Sequence, residues 1–378
     1  MFEPFELGRL TLPNRIVMAP MTRSRVGPGD VATDLMAEYY RQRASAGLIV
    51  TEGIVVSPGG KGYLFTPGLH TDAQVESWRR VVDTVHGAGG RIFAQLWHVG
   101  RVAHESTLPE GQAPLSSTDL WVEGLETFGL GDDGKPGTVA VSRPRAMTQR
   151  DVDDLAAQFA SAALNAGRAG FDGIEILAGN GYIFEQFLNA ACNTRSDRYG
   201  GRSPENRSRL LLETIDAMRA ALGGRLPIGV RVSPFGFFNS MPTDAEVEET
   251  YLWLAGQLRS RDIVYVHFND EPVSLGHLNA DNADTMVQVG RLIPAPFLPR
   301  FKNEFDGTVI LCGGLDAASA AQFLAGGSVD LVAFATAFLA NPDLPARLRN
   351  GWELNAPDTD RFYGGDERGY TDYPVYSG

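Results

Sequence analysis

Eight short apolar runs, each followed by a longer stretch of helical periodicity, restrict the fold of this chain more than any other feature. The runs span residues 15–19, 48–55, 91–97, 173–177, 228–232, 263–267, 309–311 and 331–334. They are rich in Val, Ile, Leu and Phe without polar alternation, the pattern of strands covered on both faces. The helical stretches between them fall at 34–46, 74–88, 151–169, 206–222, 244–259, roughly 284–292, 317–325 and 342–349. Asp151 and Asp244 stand where an N-cap is useful, and Gly170 and Gly223 stand where a helix should stop. Strand–helix units in series specify a parallel sheet, and eight of them predict a closed (β/α)8 TIM barrel. The runner-up, an open doubly wound sheet, needs a chain reversal for which the sequence offers no place.

Two segments fall outside the repeat. Residues 2–12 read as a hairpin turning at Gly8-Arg9, placed to close the bottom of the barrel. Residues 98–147 are rich in Gly, Pro, Ser and Thr and follow the third strand. That excursion should cap the C-terminal face, where barrel enzymes keep their active sites. No linker interrupts the repeat, so all 378 residues are expected to form one domain.

Composition excludes several function classes. A net charge of −13 disfavours nucleic acid and anionic membrane as partners. The two cysteines, Cys192 and Cys312, lack the spacing of a zinc site or a disulfide framework. The first residues carry no basic and apolar leader pattern, and no apolar run approaches the ~20 residues of a membrane span. A cytoplasmic protein acting on a small molecule is expected, and a homo-oligomer is compatible with the sequence.

In a barrel, chemistry comes from the C-terminal ends of the strands. Here those ends carry Pro20-Met21-Thr22-Arg23, Glu52-Gly53, Gln95-Leu96-Trp97-His98, Glu175-Ile176-Leu177 with Asn180-Gly181-Tyr182, Arg231-Val232-Ser233-Pro234, His267, Cys312-Gly313-Gly314 and Ala335-Thr336. Thr22 and Gln95 can bond the edge of a heterocycle, and Arg231 can neutralise an anion. Gly313 and Gly314 expose backbone N–H groups of the kind that hold phosphate. Tyr182, protonated at neutral pH, can act as a general acid. Each has a plainer reading: satisfied backbone groups, an Arg231–Glu175 ion pair, an ordinary tight turn, a packed aromatic ring. Their appearance at the same end of successive strands favours a planar phosphorylated cofactor with a substrate above it.

Longer motifs run through the whole chain. They include Asn14-Arg15-Ile16-Val17-Met18-Ala19-Pro20-Met21-Thr22-Arg23, Gln95-Leu96-Trp97-His98-Val99-Gly100-Arg101, Arg198-Tyr199-Gly200-Gly201, Arg231-Val232-Ser233-Pro234 and Ala340-Asn341-Pro342-Asp343-Leu344. In these the chain resembles the Old Yellow Enzyme family of FMN-dependent ene-reductases. The resemblance implies that NAD(P)H reduces FMN and that flavin N5 then delivers hydride to an activated alkene, with Tyr182 as proton donor. It implies that Pro20, Met21, Thr22, Gly53, Gln95 and Arg231 hold the isoalloxazine. Gly313, Gly314, Ala335 and Thr336 would lie at the phosphate, and Tyr63, Trp97, Leu177 and Tyr363 would line the substrate pocket with Asn180.

Two positions depart from the family pattern. Leu177 stands where a histidine normally pairs with the residue at 180 to hold the substrate's oxygen. Ala335-Thr336 replaces a glycine–arginine pair whose arginine grips the phosphate. These departures keep a second reading open, a remodelled member performing isomerisation, dehydration or cyclisation. A third is a binding protein on a retired scaffold, and flavin absorption separates the classes. The GxGxxG match at 129–134 lies in the excursion, not between strand and helix, and is discounted, as is the Asn206-Arg207-Ser208 sequon.

Overall fold

The computed structural model describes residues 1–270 and 291–378. Its centre is a closed eight-stranded barrel in which every neighbouring pair is parallel. The strands are Ile16–Met18, Leu48–Val55, Ile92–Trp97, Gly173–Leu177, Ile228–Val232, Tyr265–Asn269, Thr308–Cys312 and Leu331–Phe334. Apart from Thr308, all their residues are buried, which explains the missing polar alternation. Val17, Leu48, Val50, Phe93, Tyr265, Ile310 and Leu331 fill the barrel, and helices pack on its outside through a larger apolar cluster.

The N-terminal hairpin pairs Phe5–Leu7 with Leu10–Leu12. Gly8 turns with φ of +60°, and Leu7 and Leu12 join the interior cluster. A Cβ at Gly8 would lie 3.1 Å from Val264, just before the sixth strand, so the hairpin plugs the N-terminal end as expected.

Two local expectations need correction, and a third lies mostly outside the described residues. The sixth strand begins and ends two residues later than 263–267, because Ile263 and Val264 belong to the approach from the preceding helix. The helix expected at 284–292 lies mostly outside the described residues. A helix does follow the sixth strand at Phe297–Phe305, where Phe297, Leu298, Phe301 and Phe305 form the buried stripe. Asp151 is not an N-cap. Thr148 caps the helix Gln149–Ala169, and Asp151 answers as the third residue of a capping box, bonding back to the Thr148 N–H. Gly170 and Gly223 end their helices in the left-handed conformation, as their positions suggested.

Val99, Val102, Leu108, Leu125 and Val141 of the excursion share an apolar cluster with Trp97 and Leu177, which end the third and fourth strands. The excursion's hairpin pairs Glu126–Leu130 with Pro136–Ala140, so the glycine motif at 129–134 is strand and turn. Thr127 Oγ1 donates to the Gly62 carbonyl at 2.5 Å, and Leu64 N donates to the Phe128 carbonyl, fixing the hairpin beside Tyr63. The C-terminal segment reaches the same end of the barrel. Arg23 donates to the Phe362 and Gly369 carbonyls at 2.8 Å each, and Tyr370 stacks on Tyr39 with ring centroids 4.1 Å apart. This holds Tyr363, 70% exposed, at the rim. Among the described residues, no helix is long and apolar enough to cross a membrane.

Candidate active site

The loop after the fourth strand carries two successive left-handed residues, Asn180 (φ 59°) and Gly181 (φ 76°). Asn tolerates that conformation better than most residues. Position 181 requires glycine, since a Cβ would come within 2.5 Å of the Phe238 carbonyl oxygen. Three bonds lock the loop: Asn180 N donates to Ser233 Oγ (2.6 Å), Asn239 Nδ2 to the Asn180 carbonyl (2.6 Å), and Gly181 N to Glu185 Oε2 (2.5 Å). Ser233 Oγ donates to the same Glu185 oxygen at 2.9 Å. Burial pushes the Glu185 carboxyl up to about 8 despite these donors and the nearby Arg101. It is therefore mostly neutral at pH 7.

Tyr182 follows this loop at the head of the short helix Ile183–Leu188. Its hydroxyl lies 3.2 Å from that of Tyr63. Trp97 braces both rings, edge-on to Tyr182 (5.1 Å) and stacked with Tyr63 (5.8 Å). Burial raises the Tyr182 pKa above its ordinary value, while hydrogen bonds to Tyr63 and Asn239 draw it part of the way back. Burial, and then Tyr182 itself, raise Tyr63 further. Tyr182 thus keeps its proton throughout the neutral range. Leu177, 3% exposed, packs in the same apolar cluster as Val55, Trp97, Val99 and Leu125. It adds wall, not a hydrogen-bond donor.

Beside this pocket lies a buried polar network inside the barrel. Glu175 accepts from Gln95 Nε2 (2.7 Å), Tyr265 Oη (3.0 Å) and His267 Nδ1 (2.8 Å). Burial alone would raise the Glu175 pKa, but His267, Arg231 and Gln95 outweigh it and keep the carboxylate ionised. Burial holds His267 neutral, with Nδ1–H pointed at Glu175. Arg231 donates through Nη2 to Asn269 Oδ1 at 3.2 Å. It acts on Glu175 through space, not as the direct partner that the plainer reading supposed.

The remaining expected residues stand at adjacent strand ends. Pro20, Met21 and Thr22 are partly buried after the first strand, and Arg23 N donates to Glu52 Oε2. Gly53 is buried against the indole of Trp97, where a Cβ would come within 2.6 Å. The seventh and eighth strands pair through Cys312 and Ala333 and deliver Gly313, Gly314, Ala335 and Thr336 together. Gly314 and Thr336 are exposed, and a Cβ on Gly314 would meet nothing within 4 Å among the described residues.

These residues fit FMN. Arg231 Nε, His267 Nε2 and Trp97 Nε1 are buried polar atoms without a hydrogen-bond partner among the described residues, which is costly unless a bound group satisfies them. Gln95 gives its amide N–H to Glu175, leaving its carbonyl to accept. The exposed Gly314 leaves room for a phosphate, although Thr336 brings no charge to it.

Sequence reasoning missed Asn269, Tyr265 and Asn239. The first two were within reach. In Tyr265-Val266-His267-Phe268-Asn269 the polar-edged residues alternate with apolar ones, so one face turns polar groups inward. Asn239 sits on an irregular loop with φ of 53° and carries no comparable pattern.

The sequence profile of the NADH:flavin oxidoreductase / NADH oxidase family matches residues 1–355. A 12-oxophytodienoate reductase of Oryza sativa subsp. japonica is 39% identical over 375 residues, covering 98% of this chain and 92% of that protein. The solved structure of morphinone reductase in complex with tetrahydroNAD superposes with a TM-score of 0.91 at 43% identity, covering 100% of this chain and 97% of that one. The old yellow enzyme homologue from Zymomonas mobilis superposes with a TM-score of 0.88 at 34% identity, covering 99% of both chains.

Proposed function

Because the chain belongs to the Old Yellow Enzyme family and is an FMN-dependent NAD(P)H oxidoreductase, we propose that it reduces an activated alkene with Tyr182 as proton donor and Asn180 as the anchor of the activating oxygen. When bound, FMN would supply the hydride-transfer chemistry that links NAD(P)H to the alkene. Pro20, Met21, Thr22, Gly53, Gln95 and Arg231 hold the isoalloxazine, and Gly313, Gly314, Ala335 and Thr336 take the phosphate. The positive charge of Arg231 favours electron-rich flavin.

The Asn180 side-chain N–H donates to the substrate's carbonyl or nitro oxygen and stabilises charge that develops there. Tyr182 Oη gives its proton to the α-carbon, and the Tyr63 hydroxyl, 3.2 Å away, supports the oxygen left behind. Trp97, Leu177, Tyr63 and Tyr363 enclose the rest of the substrate. Two of the relatives act, by name, on 12-oxophytodienoate and on morphinone, both ketones. The substrate class we propose is likewise an alkene conjugated to a ketone, carried on a largely apolar body that suits the Leu177 wall. The working compartment we propose is the cytoplasm, where NAD(P)H is supplied.

The observation that carries this reading is Tyr182, protonated, braced by Trp97 and two residues from the locked Asn180. Tyr182→Phe tests it. Bleaching of the flavin by NAD(P)H should survive, while alkene reduction should fall by ~10²–10⁴, the usual worth of a positioned general acid. An unchanged alkene step would assign the proton to another group.

A further inference from the structure

Asn180 can help a substrate oxygen only if its amide presents nitrogen, not oxygen. Its backbone is fixed on both sides, by Ser233 at the N–H and Asn239 at the carbonyl. What remains free is the rotation that exchanges the two ends of the amide. The structure links that rotation to a charge. Arg231 has donors only, so the atom of Asn269 at 3.2 Å from its Nη2 must be the oxygen. Asn269 Nδ2 then points the other way and donates to Asn180 Oδ1 at 3.2 Å. With Oδ1 engaged, Asn180 Nδ2 is the end left for a ligand. A flipped Asn180 would set its NH2 against the NH2 of Asn269 and turn a lone pair toward the substrate oxygen.

We propose that Asn269 is a positioning residue that fixes the donor face of Asn180, relaying the unambiguous polarity of Arg231 to the substrate pocket. Leu177 makes this relay more consequential, because no imidazole at 177 shares the work of holding the oxygen. The inference rests on the reading of Asn180 as the substrate's donor.

A double-mutant cycle on the FMN-loaded enzyme tests it, with cyclohex-2-enone as probe and NADPH as reductant. The variants are Asn180→Ala, Asn269→Ala and both together. The flavin midpoint potential of each is read alongside kcat and KM. Asn180→Ala should lower kcat/KM by ~10–10², and Asn269→Ala by roughly 10-fold, the worth of one misdirected hydrogen bond. The double variant should be no worse than Asn180→Ala alone, and the midpoint potential of Asn269→Ala should match that of the parent. A neutral Asn269→Ala, additive losses, or a potential that moves with Asn269 would each overturn the proposal while leaving Asn180 as donor. If Asn180→Ala is itself neutral, the underlying reading fails first. Should Asn269→Ala not fold, Asn269→Asp keeps the shape and the Arg231 bond but has no donor. It should be at least as damaging and equally non-additive with Asn180→Ala.

Discussion

Replacing Leu177 with histidine should restore a substrate-oxygen donor and raise the reduction of simple cyclic enones. Leu177 ends the fourth strand, 3% exposed, in the cluster that contains Trp97 and Tyr182. An imidazole buried there would be neutral, as it is at nearby His98, whose pKa burial lowers to about 4. Neutral imidazole carries one N–H. Deleting one such donor from an evolved site costs ~2.7–4 kcal/mol, or ~10²–10³ in rate. Adding one to a pocket shaped around leucine should return less, roughly 10–10² in kcat/KM. Removing the buried leucine side chain weighs on stability instead, by at most ~1.5–3 kcal/mol, so a lower melting temperature should accompany the higher rate. The assay is steady-state reduction of cyclohex-2-enone by the flavin-loaded variant, with NADPH-driven bleaching measured separately. Because the ring stays neutral, the gain should be level from about pH 6 to 9. An unchanged kcat/KM in a folded variant that binds flavin would refute the reasoning, and a gain confined to acid pH would show that the ring acts as a cation.

Two further perturbations probe the cofactor and the scaffold. Thr336→Arg should tighten FMN about 10–10²-fold, the worth of one charge-assisted bond, and leave riboflavin affinity unchanged in flavin-fluorescence titrations of the apoprotein. Equal tightening of both ligands would place the new side chain away from the phosphate. Glu185 holds its proton to about pH 8 in the folded protein against an ordinary value of 4.5. Its contribution to stability is therefore complete below about pH 4.5 and is lost as pH rises toward 8, at ~1.4 kcal/mol per pH unit. Glu185→Gln mimics the neutral acid, keeps an acceptor for Gly181 and Ser233, and should flatten the fall of melting temperature between pH 5 and 8. An unaltered slope would mean that another group carries it.

The barrel was legible because its strands are buried on both faces and its helices carry apolar stripes, so each unit announces itself within a dozen residues. Boundaries slipped where two elements share apolar residues. Ile263 and Val264 extend the apolar run, yet the sixth strand begins at Tyr265. Thr148 was overlooked because Asp151 satisfies the same cap from three residues inside the helix.

The site was legible to the extent that its residues stand at strand ends: Tyr182, Asn180, Gln95 and Arg231 all fall where strand position puts them. Their mutual arrangement was not. Which partner Arg231 takes depends on how the fifth and sixth strands align, Arg231 opposite His267 with Asn269 two residues beyond. That register is a property of the closed sheet and not of either segment. Glu175 looked like a partner for Arg231, but Gln95 from the third strand and Tyr265 and His267 from the sixth claim it first.

The most direct test of the account is the absorption spectrum of the purified protein between 300 and 550 nm, followed through one reductive and one oxidative half-reaction. A bound-flavin band is expected, present on purification or after adding FMN, that NAD(P)H bleaches and an enone restores under anaerobic conditions. A protein that binds no FMN, or one whose bleached flavin no activated alkene reoxidises, would contradict that expectation.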